Sequence, residues 1–433
     1  MKAKYLKSIH VPHYKRTAGD IPNRMDLPKT VTIPMSMHIG APCTPVVKVG
    51  DHVAIGQIIG DSTAFVSAPI HASISGKVKA VDTMLLSSGA LTTAVTIESD
   101  GLGEVYSEVK PPVITDFDSF IEAVRASGCV GLGGAGFPTA AKLKVDPEKV
   151  DYILVNGAEC EPYITADTHT MVDRTDRLGK GLDTLHWFYP NAKIIIGIED
   201  NKKFAIESMQ ELTADMPNVS VQSLPASYPQ GGEKVLIYNL THRVVPAGKL
   251  PIDVGCIVIN ATTLSFIGKY LMTGLPLVTK CVTIDGGAIR LPQNLIVPIG
   301  TSMMDVAEAC NGLKGDPFKV LYGGPMMGIS VPDLEQPILK STNAVLFLTE
   351  KEAKITKPSA CIHCGRCVDA CPLNLEPTAL EHACIAKDVD ELNKLNIMLC
   401  MECGSCAFVC PAKRNLVESH KLAKSLVKEA QAR

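Results

Sequence analysis

At 433 residues the chain is long enough for roughly two to four domains with a sizeable buried core. A net charge of −3 and an aromatic content of 5% exclude the basic surface and stacking platforms of a nucleic-acid binder, and 46% hydrophobic against 20% charged residues excludes disorder. Of the 15 cysteines, eight crowd into two tight runs, Cys361–Cys371 and Cys400–Cys410, a pattern that suits metal chemistry in a reducing, cytoplasmic compartment and not a disulfide scaffold.

In chain order, residues 1–30 are polar and carry Pro12, Pro22 and Pro28, and they read as an N-terminal arm. The first residues, MKAKYLK, lack the apolar run of a signal peptide. Residues 31–100 are short strands and glycine turns, with "VVKVGDHVAIGQIIGD" followed by "FVSAPIHASISGKVKAV". Gly-Asp-x-Val-x-x-Gly-Gln and then Ala-Pro-x-x-x-x-x-Gly-x-Val resemble a biotinyl/lipoyl barrel-sandwich domain. The hairpin that would present the modifiable lysine reads Asp61-Ser-Thr-Ala-Phe-Val66, without one, so an unmodified structural barrel is expected.

From 112 to 278 helix and strand patterns alternate: "FDSFIEAVRAS" is helical, "VDYILVNG" and "NAKIIIGIED" are buried strands, and "KKFAIESMQELTADM" is an amphipathic helix. That alternation predicts an α/β domain with a mainly parallel sheet. The most apolar stretch, 254–278, is broken by Asn260, Lys269, Gly274 and Pro276, so no transmembrane helix is expected. Residues 279–352 read strand, strand-then-helix, strand, strand, which suggests a β-grasp module. The cysteine-rich section occupies 356–433.

Within the α/β domain, Gly131-Leu-Gly-Gly-Ala-Gly136 satisfies G-x-G-x-x-G. A dinucleotide fingerprint follows a strand and opens a helix, whereas this one follows the predicted helix 117–127 and runs into Phe137-Pro138. Four glycines ahead of a helix starting near Thr139, with Lys142 one turn in, still make a phosphate cradle of non-Rossmann type, or else a tight structural turn.

The cysteines are more specific. Cys361-x-x-Cys364-x-x-Cys367-x-x-x-Cys371-Pro and Cys400-x-x-Cys403-x-x-Cys406-x-x-x-Cys410-Pro are the same motif 39 residues apart. In two-cluster ferredoxins the fourth cysteine of each run serves the other cluster. The expected ligands are Cys361, Cys364, Cys367 and Cys410 for one 4Fe–4S cluster, and Cys400, Cys403, Cys406 and Cys371 for the second. Two zinc sites are the weaker reading, because zinc takes paired C-x-x-C units. The helical linker "PTALEHACIAKDVDELNKL" favours an α-helical two-cluster ferredoxin domain, with Cys384 as a buried small residue.

"GLGGAGFPTAAKL" and "NGAECEPYITAD" resemble the flavin-binding loops of the NADH-oxidising flavoprotein subunit of respiratory complex I. With "HVPHYK", "HIGAPCTPVVKVGD", "FVSAP", "YPQGGEKVLI", "GGPMMG" and both cysteine runs, nearly the whole chain resembles the C subunits of Rnf complexes, the membrane-bound ferredoxin:NAD⁺ oxidoreductases of bacteria. The resemblance implies a multidomain α/β protein: barrel-sandwich, complex I flavoprotein-like domain, β-grasp (SLBB-like) module and ferredoxin domain. It implies FMN, NAD(H) and two 4Fe–4S clusters as cofactors. Its implied partners are the membrane flavoproteins and ferredoxin-like subunit of such a complex, and ferredoxin indirectly, from a peripheral position on the cytoplasmic side of the cell membrane. It assigns Gly131, Gly133, Gly134, Ala135, Gly136, Phe137 and Lys142 to the flavin, with Asn156, Tyr228, Gly231, Glu233, Asn260 and Thr263, while Glu159 and Glu161 would accept from nicotinamide-ribose hydroxyls or stand as a solvated loop. Two positions depart from the complex I pattern: Leu132 replaces an arginine and Ala158 an aspartate.

Two rival readings stay open on the sequence. Cobalamin reductases share the glycine loop and cluster pair, and a non-enzymatic electron wire would keep the clusters and leave the loop empty. His10, His13, His38 and His71 read as structural. The tail 412–433 carries six basic and two acidic residues, and Leu416, Leu422, Leu426 and Val427 fall along one helical face, which is expected to dock on a partner subunit.

Overall fold

The N-terminal segment touches the rest of the chain at several points in the computed structural model, which describes residues 4–432. Ile9 exchanges two 2.8 Å backbone hydrogen bonds with Tyr228. A two-residue strand, β1 (Asn23–Arg24), joins a distant sheet by pairing in parallel with Leu295 and Ile296. The expected arm is therefore a strap across two domains.

The barrel-sandwich is built from β2 (Thr30–Pro34), β3 (Thr44–Pro45), β4 (His52–Val53), β5 (Ile58–Asp61), β6 (Ile70–His71), β7 (Gly76–Leu85) and β8 (Leu91–Ser99). They form sheets of order β2-β8-β7-β4 and β3-β5-β6. Alternate side chains such as Val31, Ile33, Ile59, Val95 and Ile97 fill the space between the sheets. Gly76 has φ +149°, and a Cβ there would lie 2.0 Å from the Glu98 carbonyl oxygen, so the close strand crossing requires glycine. The lysine-free hairpin is tied down, with the Arg125 guanidinium donating to Asp61 at 2.7 Å.

The α/β domain contains α1 (Phe117–Ala126), α2 (Thr139–Leu143), β9 (Tyr152–Gly157), α3 (Ala166–Asp173), α4 (Thr175–Phe188), β10 (Lys193–Glu199), α5 (Lys203–Leu212), β11 (Val219–Leu224), α6 (Glu233–Thr241), β12 (Cys256–Asn260) and α7 (Ala261–Thr273). The sheet is wholly parallel, in order β11-β10-β9-β12. Its central strands are unbroken apolar runs because helices cover both faces. Asp116 and Ser119 make a capping box at the start of α1, and Asn260 caps α7, which ends on Gly274 at φ +71°. α4 and α7 pack closely because Gly268 presents no side chain: a Cβ there would sit 1.9 Å from the Arg177 carbonyl oxygen. α2 is only five residues long, so the predicted helix at Thr139 supplies little helix-end potential.

The next module holds β13 (Thr279–Asp285), β14 (Gln293–Pro298), α8 (Met303–Ala309), β15 (Lys319–Tyr322), β16 (Ile329–Ser330) and β17 (Ala344–Leu348). Its sheet order is β1-β14-β13-β17-β15-β16, with β13 and β17 parallel in the middle. Second, first, fourth, third strand with a helix between the hairpins is the β-grasp arrangement. The strap supplies one edge.

After the short α9 (Glu350–Ala353) come the helices of the cysteine section: α10 (Arg366–Asp369), α11 (Pro377–Ala386), α12 (Val389–Lys394), α13 (Ser405–Val409) and α14 (Leu416–Ala432). Cys384 is buried among Leu380, Leu392 and Val427 as expected. In α14 the buried residues are Leu416, His420, Ala423 and Val427, packed on α11 and α12, while Leu422 is exposed. The apolar face read as a partner-docking surface thus closes the protein's own cluster domain. Helical spacing identifies a buried face but not what covers it.

Candidate functional site

The glycine loop is held from behind and open in front. Gly131 N–H donates to Phe137 O at 2.8 Å and Gly136 N–H to Gly131 O at 3.1 Å, closing a tight turn. Leu132 N–H donates to Thr263 Oγ1 at 2.9 Å, and the buried Lys280 ammonium donates to Leu132 O at 2.9 Å. Gly133, Gly134 and Ala135 are exposed at the cavity wall, and their three successive N–H groups make no hydrogen bond within the described residues. Gly134 takes φ +116° and Gly136 φ +65°. Consecutive free N–H groups in such a turn form an anion-binding concavity.

The second loop follows β9 and is braced internally. Asn156 Nδ2 donates to Gly231 O at 2.8 Å, and its Oδ1 accepts from Ala158 N–H at 3.2 Å. Glu159 sits at φ +47°, and its carboxylate accepts from Asp167 N–H at 2.6 Å and Thr168 Oγ1 at 2.6 Å, capping α3. Glu161 accepts from the N–H groups of Met326 at 3.2 Å and Met327 at 2.8 Å. Both carboxylates read as ribose acceptors are thus committed to backbone within the chain, although both line the cavity. Lys15 of the strap lies behind this loop, donating to the carbonyls of Glu159 and Glu161 at 2.8 Å each and to that of Ile164. Burial lowers its pKa despite the Glu159 charge. Lys15→Met is expected to destabilise the protein by about 3 kcal/mol, read as a lower melting temperature, because three carbonyls and a buried carboxylate lose their cation.

Burial pushes the Glu161 carboxyl up to about 7, against the two N–H bonds that favour its charged form. The folded value lies above the ordinary value of 4.5, so the native state binds the proton more tightly than the unfolded chain. The stabilisation is complete below pH 4.5 and is lost as pH rises towards 7. Relative to Glu161→Gln, the wild type is expected to lose melting temperature across that window.

The other predicted residues meet at the same cavity. Lys142 donates to Glu233 at 3.2 Å and to Val258 O at 3.0 Å. Asn260 donates to Asp167 at 2.7 Å while accepting from Thr263 N–H at 3.1 Å. Tyr228 is buried, and its hydroxyl donates to Cys403 O at 2.6 Å, joining the cavity to the cysteine section. Tyr228→Phe is expected to cost about 1 kcal/mol of stability and to shift the reduction potential of the adjacent cluster, measured by redox titration.

Sequence reasoning missed three contributors. Asp167 anchors Asn260 and Thr262, the β-grasp module supplies Gly323, Gly324 and Asn343 to the far wall, and Met401 reaches in from the cysteine section. "GGPMMG" was the available signal: Gly324 is required because a Cβ there would lie 2.2 Å from a Glu161 oxygen. The cavity between the three units measures about 560 Å³, within the roughly 300–1,000 Å³ usual for cofactor pockets. Free N–H groups for a phosphate and this volume for a ring system fit FMN.

The cysteines separate into the expected crossed quartets. Cys361, Cys364, Cys367 and Cys410 line one hollow, and Cys371, Cys400, Cys403 and Cys406 line another. The repeat extends to the backbone. His363 and Glu402, Gly365 and Gly404, and Asn374 and Lys413 are 39-residue pairs that all have φ between +52° and +81°. His363 N–H and Glu402 N–H each donate to the sulfur two residues earlier at 3.4 Å. Among the described residues no group of three or more His, Cys, Asp or Glu side chains is placed to hold a single metal ion. Burial pushes the Cys400 thiol up to about 11, so cluster assembly must displace protons.

Known proteins match this arrangement throughout. Residues 3–102 match the RnfC barrel sandwich hybrid domain, 124–269 the Nuo51 FMN-binding domain and 360–415 the 4Fe-4S dicluster domain. The chain is 44% identical to the C subunit of the Na(+)-translocating ferredoxin:NAD(+) oxidoreductase complex of Acetobacterium woodii, over 96% of this chain and 95% of that one. It is 41% identical to the C subunit of the proton-translocating ferredoxin:NAD(+) oxidoreductase complex of Clostridium ljungdahlii, over 88% and 84%. The chain belongs to the family of C subunits of ion-translocating ferredoxin:NAD⁺ oxidoreductase complexes. Among solved structures, an NAD⁺-reducing [NiFe]-hydrogenase matches at TM-score 0.48 and 18% identity over 72% of this chain and 61% of that one, too distant to bear on the site.

Within this Rnf C-subunit family, the chain is an electron-transfer subunit with an FMN-binding domain and two 4Fe–4S clusters. The two departures from the complex I pattern both face inward: Leu132 and Ala158 are buried. No described helix is long and apolar enough to cross a membrane.

Proposed function

We propose that this subunit exchanges reducing equivalents with NAD(H) at the cavity and passes single electrons to the membrane partners of an Rnf complex, among them membrane flavoproteins and a ferredoxin-like subunit, from the cytoplasmic face. The observation that carries this reading is the shared wall: the cavity with the free N–H groups also contains Met401, between Cys400 and Cys403, and Tyr228, bonded to Cys403. Bound there, FMN supplies the conversion between two-electron and one-electron chemistry, and the clusters supply one-electron carriers.

The chain's own residues set the geometry. The N–H groups of Gly133, Gly134 and Ala135 would hold the phosphate, and Lys142, paired with Glu233, lines the same cavity. Asn156, Gly231, Asn260 and Thr263 keep the loops at fixed separation. Glu159 and Glu161 act as positioning residues. Cys371, Cys400, Cys403 and Cys406 form the inner quartet. The outer quartet includes the exposed Cys364, which suits delivery to a partner. No general acid or base is required for hydride transfer.

Flavin, iron and sulfide quantified on anaerobically purified protein test the reading, followed by spectra after NADH addition. About one FMN and eight iron atoms per chain with rapid bleaching are expected. Iron without flavin, even after FMN is supplied, and no response to NADH would leave an electron wire.

A further inference from the structure

A second cavity lies on the other side of the glycine loop. It measures about 100 Å³ and shares no lining residue with the flavin cavity. Leu132 forms one wall, and Arg174, Arg177, Lys269 and the buried Lys280 supply the others. Arg24 stands beside it, in register with Ile296, which also lines it.

Cations outnumber acids here: Asp173 is in the lining, and Asp176 and Asp167 act on Arg177 and Lys280 from outside it. Among the described residues the side chains of Arg24, Arg177 and Lys269 make no hydrogen bond or ion pair, and that of Arg174 donates only to the Asp173 carbonyl. The one acid in the wall, Asp173, shares a 3.0 Å hydrogen bond with His169 and sets one carboxylate against the cations. Asp176 is exposed and is not part of the lining. The 14-residue α4 begins at this point without a side-chain cap, and its first turn carries Arg177 beside the exposed Asp176. Burial and the guanidiniums of Arg177, Arg24 and Arg174 hold the Lys269 ammonium down to about 8. Like charges gathered in a half-buried hollow destabilise the fold unless an anion joins them.

We infer that this cavity binds a phosphate-class oxyanion, held by Arg174, Arg177 and Lys269 with Arg24 at the rim. The volume accommodates a group several water molecules in size, and is below the roughly 300 Å³ at which cofactor pockets begin, so the ligand is a single oxyanion and not a nucleotide. The site sits against Leu132, whose N–H and carbonyl are pinned by Thr263 and Lys280, and so adjoins the back of the flavin loop.

Equilibrium dialysis of the flavin-saturated, cluster-loaded protein against labelled inorganic phosphate tests this, with the melting temperature followed in phosphate and in chloride of equal ionic strength. Saturating FMN keeps the flavin loop's own N–H groups out of the measurement. The expected result is about one phosphate per chain, a melting temperature raised by phosphate beyond chloride, and affinity lowered at least about tenfold in both Arg177→Gln and Lys269→Met. Sulfate should compete. Without phosphate, Lys269→Met should melt no lower than wild type, since it removes an uncompensated repulsion. Unchanged phosphate binding in both variants, or equal effects of phosphate and chloride, would overturn the site. Were FMN not to bind, phosphate held at the glycine loop would persist in Arg177→Gln and Lys269→Met, which keeps the two readings apart because the cavities share no lining residue.

Discussion

Cys371→Ala is expected to remove the inner cluster, ligated by Cys400, Cys403 and Cys406, and to leave the outer one in place. Iron should fall from about eight to about four atoms per chain, and the paramagnetic resonance spectrum of the reduced protein should lose one cluster signal. Cys410→Ala should do the converse. The expectation rests on the two hollows, each lined by three cysteines of one run and the fourth of the other. NADH-linked reduction of the flavin should survive in both variants, while electron delivery to an external acceptor drops more than about a hundredfold, a loss of roughly 2.7 kcal/mol or more in barrier terms. If Cys371→Ala instead removed the signal shared with Cys361, Cys364 and Cys367 substitutions, the ligation would be sequential and the crossed assignment wrong.

Gly133→Val should abolish flavin retention without touching iron content. A Cβ at Gly133 would lie 2.9 Å from Asn260 Nδ2 and 3.1 Å from its Cγ. Asn260 cannot yield freely, because its amide donates to Asp167 and its carbonyl oxygen caps α7. The loop must move, taking the N–H groups of Gly133 and Gly134 out of alignment. With two charge-assisted hydrogen bonds lost at about 1.5–3 kcal/mol each, FMN affinity should fall at least about a hundredfold. Titration of deflavinated protein with FMN, beside iron analysis of the same sample, checks both halves. Normal FMN affinity in this variant would move the phosphate away from the loop.

Much of the site was legible because its signals are local. Cysteine spacing, glycine runs and the position of Asn156 at the end of an apolar strand each reflect a constraint acting within a few residues. The left-handed backbone pairs at 363/402, 365/404 and 374/413 are the structural form of a repeat already visible as letters. Roles were less legible than membership. Glu159 and Glu161 line the cavity as the resemblance implies, but each of their oxygens already accepts a hydrogen bond from residues 167–168 or 326–327. A carboxylate in a loop looks the same in sequence whether it faces a ligand or a helix end.

The sequence by itself determined the units of this protein: the unmodified barrel, the parallel α/β domain, the β-grasp module and the paired cluster motifs, since periodicity and turn chemistry are short-range. Only the tertiary structure decided how they share surfaces. It turned the N-terminal arm into a strap that places Lys15 behind the loop after β9, brought Met401 into the flavin cavity and buried the tail helix on α11. It also gathered Arg174, Arg177 and Lys269 into one hollow. Such contacts join residues tens to hundreds of positions apart. They are set by how whole surfaces exclude water together, which no local pattern encodes.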